Sequence, residues 1–479
     1  MEQNMSHESV AINKIGEDQM YSILVLLPIK SILSFAQTCR KFQSLVSSDC
    51  FWESICRRDW GSTSVDALKS SSFSIFSNNN NNNNINNNNN DNNDNNSGSV
   101  RWMKLYKRVA EMGTVMCNKM SESVEDDSMI PCPRASHSLN FVSNFLVLFG
   151  GGCEGGRHRD DTWVAYLGYN YKTVLKWQKV TSGVPTGRFG HTCVVTGDTL
   201  ILFGGINDHG IRQNDAWVGK IVQNEASDIT MFWNPLNVGP SSPPPRGAHA
   251  GCCIDNRRML IHGGIGLDGV RLGDMWILEL SEDYCRGTWH EVIAHPSPPA
   301  RSGHTLTSID GTRAVLFGGR GLGYDVLDDV WLFDASEGFE KWVKVLVDLQ
   351  NVPRGTSLPR VGHSATLILG GGLLIFGGED SLRRRKRDFW LLDLNSIPGI
   401  KNYPFSSSSR SALTRMWRRL KPHGYNTNSR SFHAACADHS GRFVYVFGGM
   451  VDGVVVPAES TGLRFDGELF LVELGLTNI

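Results

Sequence analysis

The sequence predicts a small all-α domain joined by a polar linker to an all-β propeller of six blades. Three observations predict it. Self-comparison of residues 130–479 finds the same three signals six times in one order. Residues 78–96 are almost pure asparagine, which marks a boundary. Ahead of that boundary, residues 12–60 carry apolar side chains at helical spacing.

In the first unit, Ile15, Met20, Ile23, Leu24 and Leu27 recur every three to five residues, and Glu17 and Asp18 stand where a helix N-terminus favours negative charge. A helix over about 17–27 is expected, ended by Pro28, with further helices outlined by Ile32, Leu33 and Phe35 and by Phe42, Leu45 and Val46. About fifty residues make a thin core, so an exposed apolar face here reads as an interface. The order Ile15, Ile23-Leu24, Leu27-Pro28, Thr38-Cys39-Arg40, Phe42, Leu45 and Phe51-Trp52 resembles an F-box. Gly16 stands where that family usually has Pro, and Phe42 where Trp is common. The resemblance implies a surface for a Skp adaptor, and through it a cullin, carried by Ile15, Met20, Ile23, Leu24, Leu27, Pro28, Leu33, Cys39, Phe42, Leu45 and Trp52. An ordinary helical bundle is the plain alternative.

Residues 1–11 read as a disordered tail and the Ser- and Asn-rich 61–100 as a disordered linker, because such composition cannot bury enough apolar surface to offset ordering entropy. Trp102, Leu105 and Tyr106, within a helix over 101–112, look like the aromatic segment that often follows an F-box and packs back on it.

The repeat unit begins with Arg-x-x-His, at Arg134/His137, Arg188/His191, Arg246/His249, Arg301/His304, Arg360/His363 and Arg430/His433. A glycine pair follows 16 to 18 residues later, from Gly150-Gly151 to Gly448-Gly449. Asp-x-Trp comes third, at Asp161/Trp163, Asp215/Trp217, Asp274/Trp276, Asp329/Trp331 and Asp388/Trp390, with Glu468/Phe470 as a sixth variant. A later Trp recurs in five repeats, at Trp177, Trp233, Trp289, Trp342 and Trp417. Four short apolar segments per repeat, bounded by turn residues, describe a four-stranded antiparallel blade. These signals resemble kelch repeats over about 350 residues. The fold class is therefore a small all-α F-box domain plus an all-β six-bladed kelch β-propeller. The sixth repeat ends after Glu-Leu-Phe with no fourth strand, and residues 113–120 are expected to close the ring over 113–479 by pairing with 469–473.

One residue type repeated around a circle argues for architecture, since an active site needs different residues converging. Two readings of the six arginines stay open. Each pairs with an acid such as the Asp of Asp-x-Trp, its His bonding backbone within the blade. Or, starting the first strand, Arg134, Arg188, Arg246, Arg301, Arg360 and Arg430 lie toward the substrate-binding face. That face collects the loops 153–160, 206–214, 265–273, 320–328, 379–387 and 450–465, with 237–245 and 346–359. Arg383, Arg384, Arg385, Lys386 and Arg387 form its sharpest feature, adjacent cations expected to stay solvated until an acidic partner or anion arrives; a nuclear-import signal and a bland loop are the alternatives.

No cofactor, metal or catalytic residue is expected. The sites of kelch-like copper oxidases and of nitrile-specifier proteins have no counterpart, and Gly318 to Gly323 precedes a strand instead of the helix a phosphate loop requires. With 47 Lys and Arg against 48 Asp and Glu, neither nucleic acid nor membrane is favoured as a partner. Eleven scattered cysteines and no basic leader point to nucleus or cytosol.

The pairing resembles plant F-box/kelch receptors, with a propeller similar to the ZEITLUPE/ADAGIO group; the LOV domain of that group has no counterpart before residue 12, so light sensing is not expected. The resemblance implies a non-catalytic substrate receptor of an SCF-type ubiquitin ligase. A kelch scaffold without a ligase role, or an enzyme with its site in the propeller mouth, are the other classes.

Overall fold

The computed structural model describes residues 15–75, 101–120, 130–168, 171–180, 184–223, 229–336, 338–346, 358–397, 416–452 and 463–476. It forms two units, one of residues up to Glu111 and one built from Met112 onward. The tail 1–11, the asparagine run and most of the 346–359 loop lie outside the described residues. No described helix is long and apolar enough to cross a membrane.

The first unit contains α1 (Glu17–Val25), α2 (Ile29–Ala36), α3 (Arg40–Ser47), α4 (Asp49–Trp60), α5 (Ser62–Ile75) and α6 (Trp102–Glu111). Pro28, fixed in φ and lacking an N–H, separates α1 from α2. Ser48 caps α4 by accepting from the Phe51 amide. The core is small and aromatic: Phe35 stacks on Phe42 at 4.0 Å, and the Trp52 indole N–H donates to the Val46 carbonyl at 2.7 Å. Arg58 donates to the carbonyls of Val25 and Leu27, fixing the turn between α1 and α2. α6 packs on this core, with Tyr106 stacked on Trp60 at 5.5 Å and its hydroxyl donating to Asp59 at 2.6 Å.

The linker expected over 61–100 needs correction at its start. α5 runs through Ser62–Ile75, because Val65 and Leu68, three residues apart, bury one helical face inside a stretch whose serine content reads as a linker.

The second unit is a ring of six four-stranded antiparallel sheets. Blade 1 comprises Ser138–Val142, Phe145–Phe149, Thr162–Leu167 and Val174–Val180, and blades 2 to 5 repeat that order. Blade 6 takes Ala434–Ala437, Phe443–Phe447 and Leu469–Leu474 from the C-terminal end and its fourth strand, Thr114–Lys119, from the other end of the unit. The pairing is antiparallel, Val115 opposite Leu474 through Lys119 opposite Phe470. The closing strand also runs parallel to Trp417–Gly424 of blade 5, with Thr114 opposite Lys421.

Apolar cores lie between blades rather than within them. Each fourth-strand tryptophan packs on the second-strand aromatic of the preceding blade: Trp233 on Phe149 at 5.4 Å, Trp289 on Phe203 at 4.8 Å, and Trp417 on Phe317 at 5.2 Å. Blade 3 departs from the pattern, since His262 replaces the phenylalanine beneath Trp342.

The glycine pairs mark where adjacent blades touch. A Cβ on Gly150, at φ +68°, would stand 2.8 Å from the Arg188 carbonyl oxygen and 2.9 Å from the His191 ring. At the centre, the residue two after each motif arginine adopts left-handed backbone: Ser136, Gly190, Ala248, Gly303, Gly362 and Phe432, with φ between 54° and 66°. Their amides donate around a closed circle, Gly190 to Ser136, Ala248 to Gly190, and so on until Ser136 donates to Phe432 at 2.8 Å. Six hydrogen bonds thus tie the blades together at the axis.

Candidate binding surfaces

Of the two readings of the repeated arginines, burial decides for architecture. Arg134, Arg188, Arg246, Arg301, Arg360 and Arg430 are all buried, and the expectation that they face a substrate is corrected. A strand can begin near a rim while its side chain points inward. Arg134 grips Asp161 through both terminal nitrogens at 2.6 and 3.1 Å, and its Nη1 also donates to the Gly150 carbonyl. The same fork recurs at Arg188–Asp215, Arg246–Asp274, Arg301–Asp329 and Arg360–Asp388. Each aspartate takes a third bond from the indole N–H two residues on, as in Trp163 to Asp161 at 2.8 Å. Burial alone would raise these carboxylates, but the guanidinium and indole outweigh it and hold Asp161, Asp215, Asp274, Asp329 and Asp388 below the usual range. In blade 6 the partner is Asp466, 3.2 Å from Arg430, ahead of the motif position Glu468 at 3.7 Å, and Arg430 also lies over the Phe470 ring.

Arg301→Ala is expected to lower stability by about 3 kcal/mol, because it removes a fully buried guanidinium and leaves the half-buried Asp329 charged without its partner. Replacing both members, as Arg301→Met with Asp329→Leu, should be milder. Denaturant unfolding checks this, and equal loss in the two variants would show that the orphaned carboxylate is not the cause.

The motif histidines are also buried. Beside the backbone of their own blade, which His191 meets at Arg188 and His363 at Arg360, three of them reach the neighbouring blade: His191 faces the Ser138 hydroxyl, His363 the Thr305 hydroxyl and His433 the Ser364 hydroxyl, each on the first strand of the preceding blade. Their rings floor a central cavity of about 440 Å³, walled by Arg271, Arg320 and Ser302. Among the described residues no three His, Cys, Asp or Glu side chains group to hold a metal ion.

What the arginines do not supply to this face, the hairpin tips do. In blades 2 to 5 the loop between second and third strands closes in one four-residue turn, with left-handed backbone at Gly210, Gly269, Tyr324 and Arg383. On these turns stand Ile211, Leu267, Val270, Leu322, Tyr324 and Leu382, each more than half exposed. The Arg271 guanidinium lies over the Tyr324 ring at 4.4 Å. Single apolar residues in polar turns have no periodicity, so no pattern marks this apolar rim in advance.

The cationic loop is less free than its charge suggests. Asp380, buried and held down at about 2 despite that burial by bonds from Lys386 and Arg384, pairs with Arg384 at 3.0 Å and Lys386 at 2.7 Å. Arg385 pairs with Asp452 at 2.6 Å, while Glu379 holds Arg320 at 2.9 Å. Arg383 and Arg384 remain exposed. The expectation of five solvated cations, Arg385 among the binding residues, is therefore corrected, because carboxylates on the same rim already occupy three of them.

On the helical unit the residues expected to meet an adaptor divide by burial. Met20, Leu24, Phe42 and Trp52 are buried in the unit's own core and cannot be the covered surface, a correction to that set. Ile23, 46% exposed, and Leu33, 40% exposed, are joined by Leu26 at 71%, which the pattern missed. Leu27 and Pro28 are half-buried and Cys39 is exposed, while Ile15 and Leu45 line a groove of about 420 Å³ beside Glu17 and Lys41. An apolar ridge on so small a unit is a docking surface in form.

Known proteins match both units. A family model of KLHDC2/KLHL20/DRC7 kelch-repeat domains matches residues 114–319 and 228–355, and an F-box-like model matches 17–58. The F-box/kelch-repeat protein At1g51550 of Arabidopsis thaliana is 55% identical over 98% of this chain and 94% of its own length. Adagio-like protein 1 of Oryza sativa subsp. japonica is 27% identical and Adagio protein 3 of Arabidopsis thaliana 26%, each over 78% of this chain. The chain spans 54% of the length of those two relatives.

Proposed function

The chain belongs to the F-box/kelch-repeat family, and from that premise we propose that it is the substrate receptor of an SCF-type ubiquitin ligase. The F-box binds a Skp adaptor and thereby a cullin; the propeller holds a protein to be ubiquitinated, in cytosol or nucleus. Its contribution to the reaction is proximity, and no residue of its own is catalytic. The observation that carries this reading is the exposed apolar ridge Ile23, Leu26 and Leu33 on a helical unit too small to leave it uncovered, within the stretch that matches the F-box-like model. Burying each such side chain contributes about 1.5–3 kcal/mol, so three anchors suffice for a specific contact.

The test follows from exposure. Ile23→Asp, Leu26→Asp and Leu33→Asp together lie outside the core, so the unit should still fold while purified Skp adaptor and cullin are captured at least tenfold less. Leu27→Ala with Pro28→Ala should act in the same direction. Undiminished capture of adaptor and cullin by the triple variant would overturn the proposal and leave the propeller as a scaffold.

A further inference from the structure

We propose that a groove at the outer edge of blades 5 and 6 docks an acidic peptide segment of the captured protein, an inference that rests on reading the propeller as the substrate-receiving unit. The argument starts from which cations are already neutralised. Among the described residues, Glu379, Asp380 and Asp452 are taken up by Arg320, Arg384, Arg385 and Lys386, and Asp388 is locked to Arg360 inside the blade. Arg387 has no carboxylate among the described residues; its Nη1 donates to the Asn426 amide oxygen at 3.2 Å.

A second cation reaches the same place from a different strand. Arg419, exposed on Trp417–Gly424, lines with Arg387 and His423 a groove of about 460 Å³. Leu420, Pro422 and Tyr425 form its apolar and aromatic side, and the Tyr425 hydroxyl is committed to Glu468 at 2.6 Å. Among the described residues the one carboxylate lining the groove is Asp388, whose charge is answered by Arg360 and the Trp390 indole. The groove is thus positively charged with two guanidinium forks, and a fork matches a carboxylate in two parallel bonds.

Chemistry and shape select a peptide. The volume exceeds that of a single small anion, and Leu420, Pro422 and Tyr425 line it beside the two guanidinium groups. A chain of Asp and Glu next to an apolar side chain answers both features. A nucleic acid would need a longer cationic track, whereas the whole chain carries a net charge of −1.

The full-length protein, immobilised, is offered a displayed library of random 12-residue peptides. The expected result is enrichment of peptides rich in Asp and Glu with an apolar neighbour. Arg387→Ser with Arg419→Ser should weaken a selected, fluorescently labelled peptide at least tenfold, and Arg387→Lys with Arg419→Lys should fall between, keeping charge and losing the fork. Raising salt from 50 to 300 mM should weaken binding further. Both residues are exposed, so an unchanged unfolding temperature in either variant certifies the fold. Selection of neutral or basic peptides, no enrichment at all, displacement by a single-stranded oligonucleotide, or full affinity in the serine variant would each overturn the proposal. Capture of Skp adaptor should be unaffected throughout, so failure here with that capture intact separates this inference from the receptor reading.

Discussion

Deleting residues 113–120 is expected to turn a soluble propeller into an aggregating one, while deleting 1–100 leaves it soluble. Among the described residues the closing strand is the only fourth strand blade 6 has: Thr114–Lys119 pairs over five residues with Leu469–Leu474, and the Met120 amide continues the ladder to the Leu469 carbonyl. Val115 and Cys117 are buried against it, and all six residues of Leu469–Leu474 are buried as well. Without the closing strand, a buried strand that is apolar but for Glu473 would present unpaired amides and carbonyls to solvent, a template for association with other copies. The same deletion removes the parallel pairing to Trp417–Gly424, so blade 5 loses its neighbour too. Size-exclusion chromatography and the temperature of unfolding measure the outcome. Equal solubility of the two truncations would mean that another segment closes the ring.

That the sequence marks this strand follows from how repeats encode structure. Each recurring residue marks one contact: the 16 to 18 residues from Arg to glycine pair span the bond from Arg134 to the Gly150 carbonyl, and the 27 or 28 residues from Arg to Asp span the buried fork. A missing fourth segment therefore stands out. Burial is not encoded in the same way. The pattern places an arginine at the head of a strand but does not say whether its side chain turns out to a partner or in to Asp329, and here all six turn in. The helical unit shows the same gap: a 3.6-residue period identifies the apolar stripe of α1, yet Leu24 is covered by the unit itself and Leu26 by nothing described. Composition misleads at α5, where Val65 and Leu68 outweigh the surrounding serines.

The propeller is expected to lose stability steeply between pH 6.5 and 4, well before its carboxylates matter. Seven imidazoles are buried in it, the six of the repeated motif and His262. Burial, and then in most of them a neighbouring motif arginine, pushes His191, His262 and His363 down to about 3 and His137, His249, His304 and His433 well below their usual value. The folded chain therefore leaves these rings neutral at pH values where the unfolded chain protonates them. Since a base with a depressed folded pKa binds fewer protons when folded, stability is complete above about 6.5 and falls as pH drops below it. Each ring contributes about 1.4 kcal/mol per pH unit in that window, and seven together up to about 10 kcal/mol per pH unit. The paired aspartates act in the same sense from a lower start: their depressed pKa values stabilise the fold above about 4, so their loss comes only in stronger acid. Unfolding temperatures at pH 7.5, 6.5, 5.5 and 5.0 should descend with increasing slope, and one value shared by pH 7.5 and 5.0 would refute the account. His262→Phe supplies the control. It restores the aromatic that Phe149, Phe203, Phe317, Phe376 and Phe447 place at that position, removes the bond between His262 Nδ1 and His304 Nε2, and takes one titrating ring out of the core. The variant should take up one proton fewer on unfolding, so its acid transition lies at lower pH than that of the natural chain.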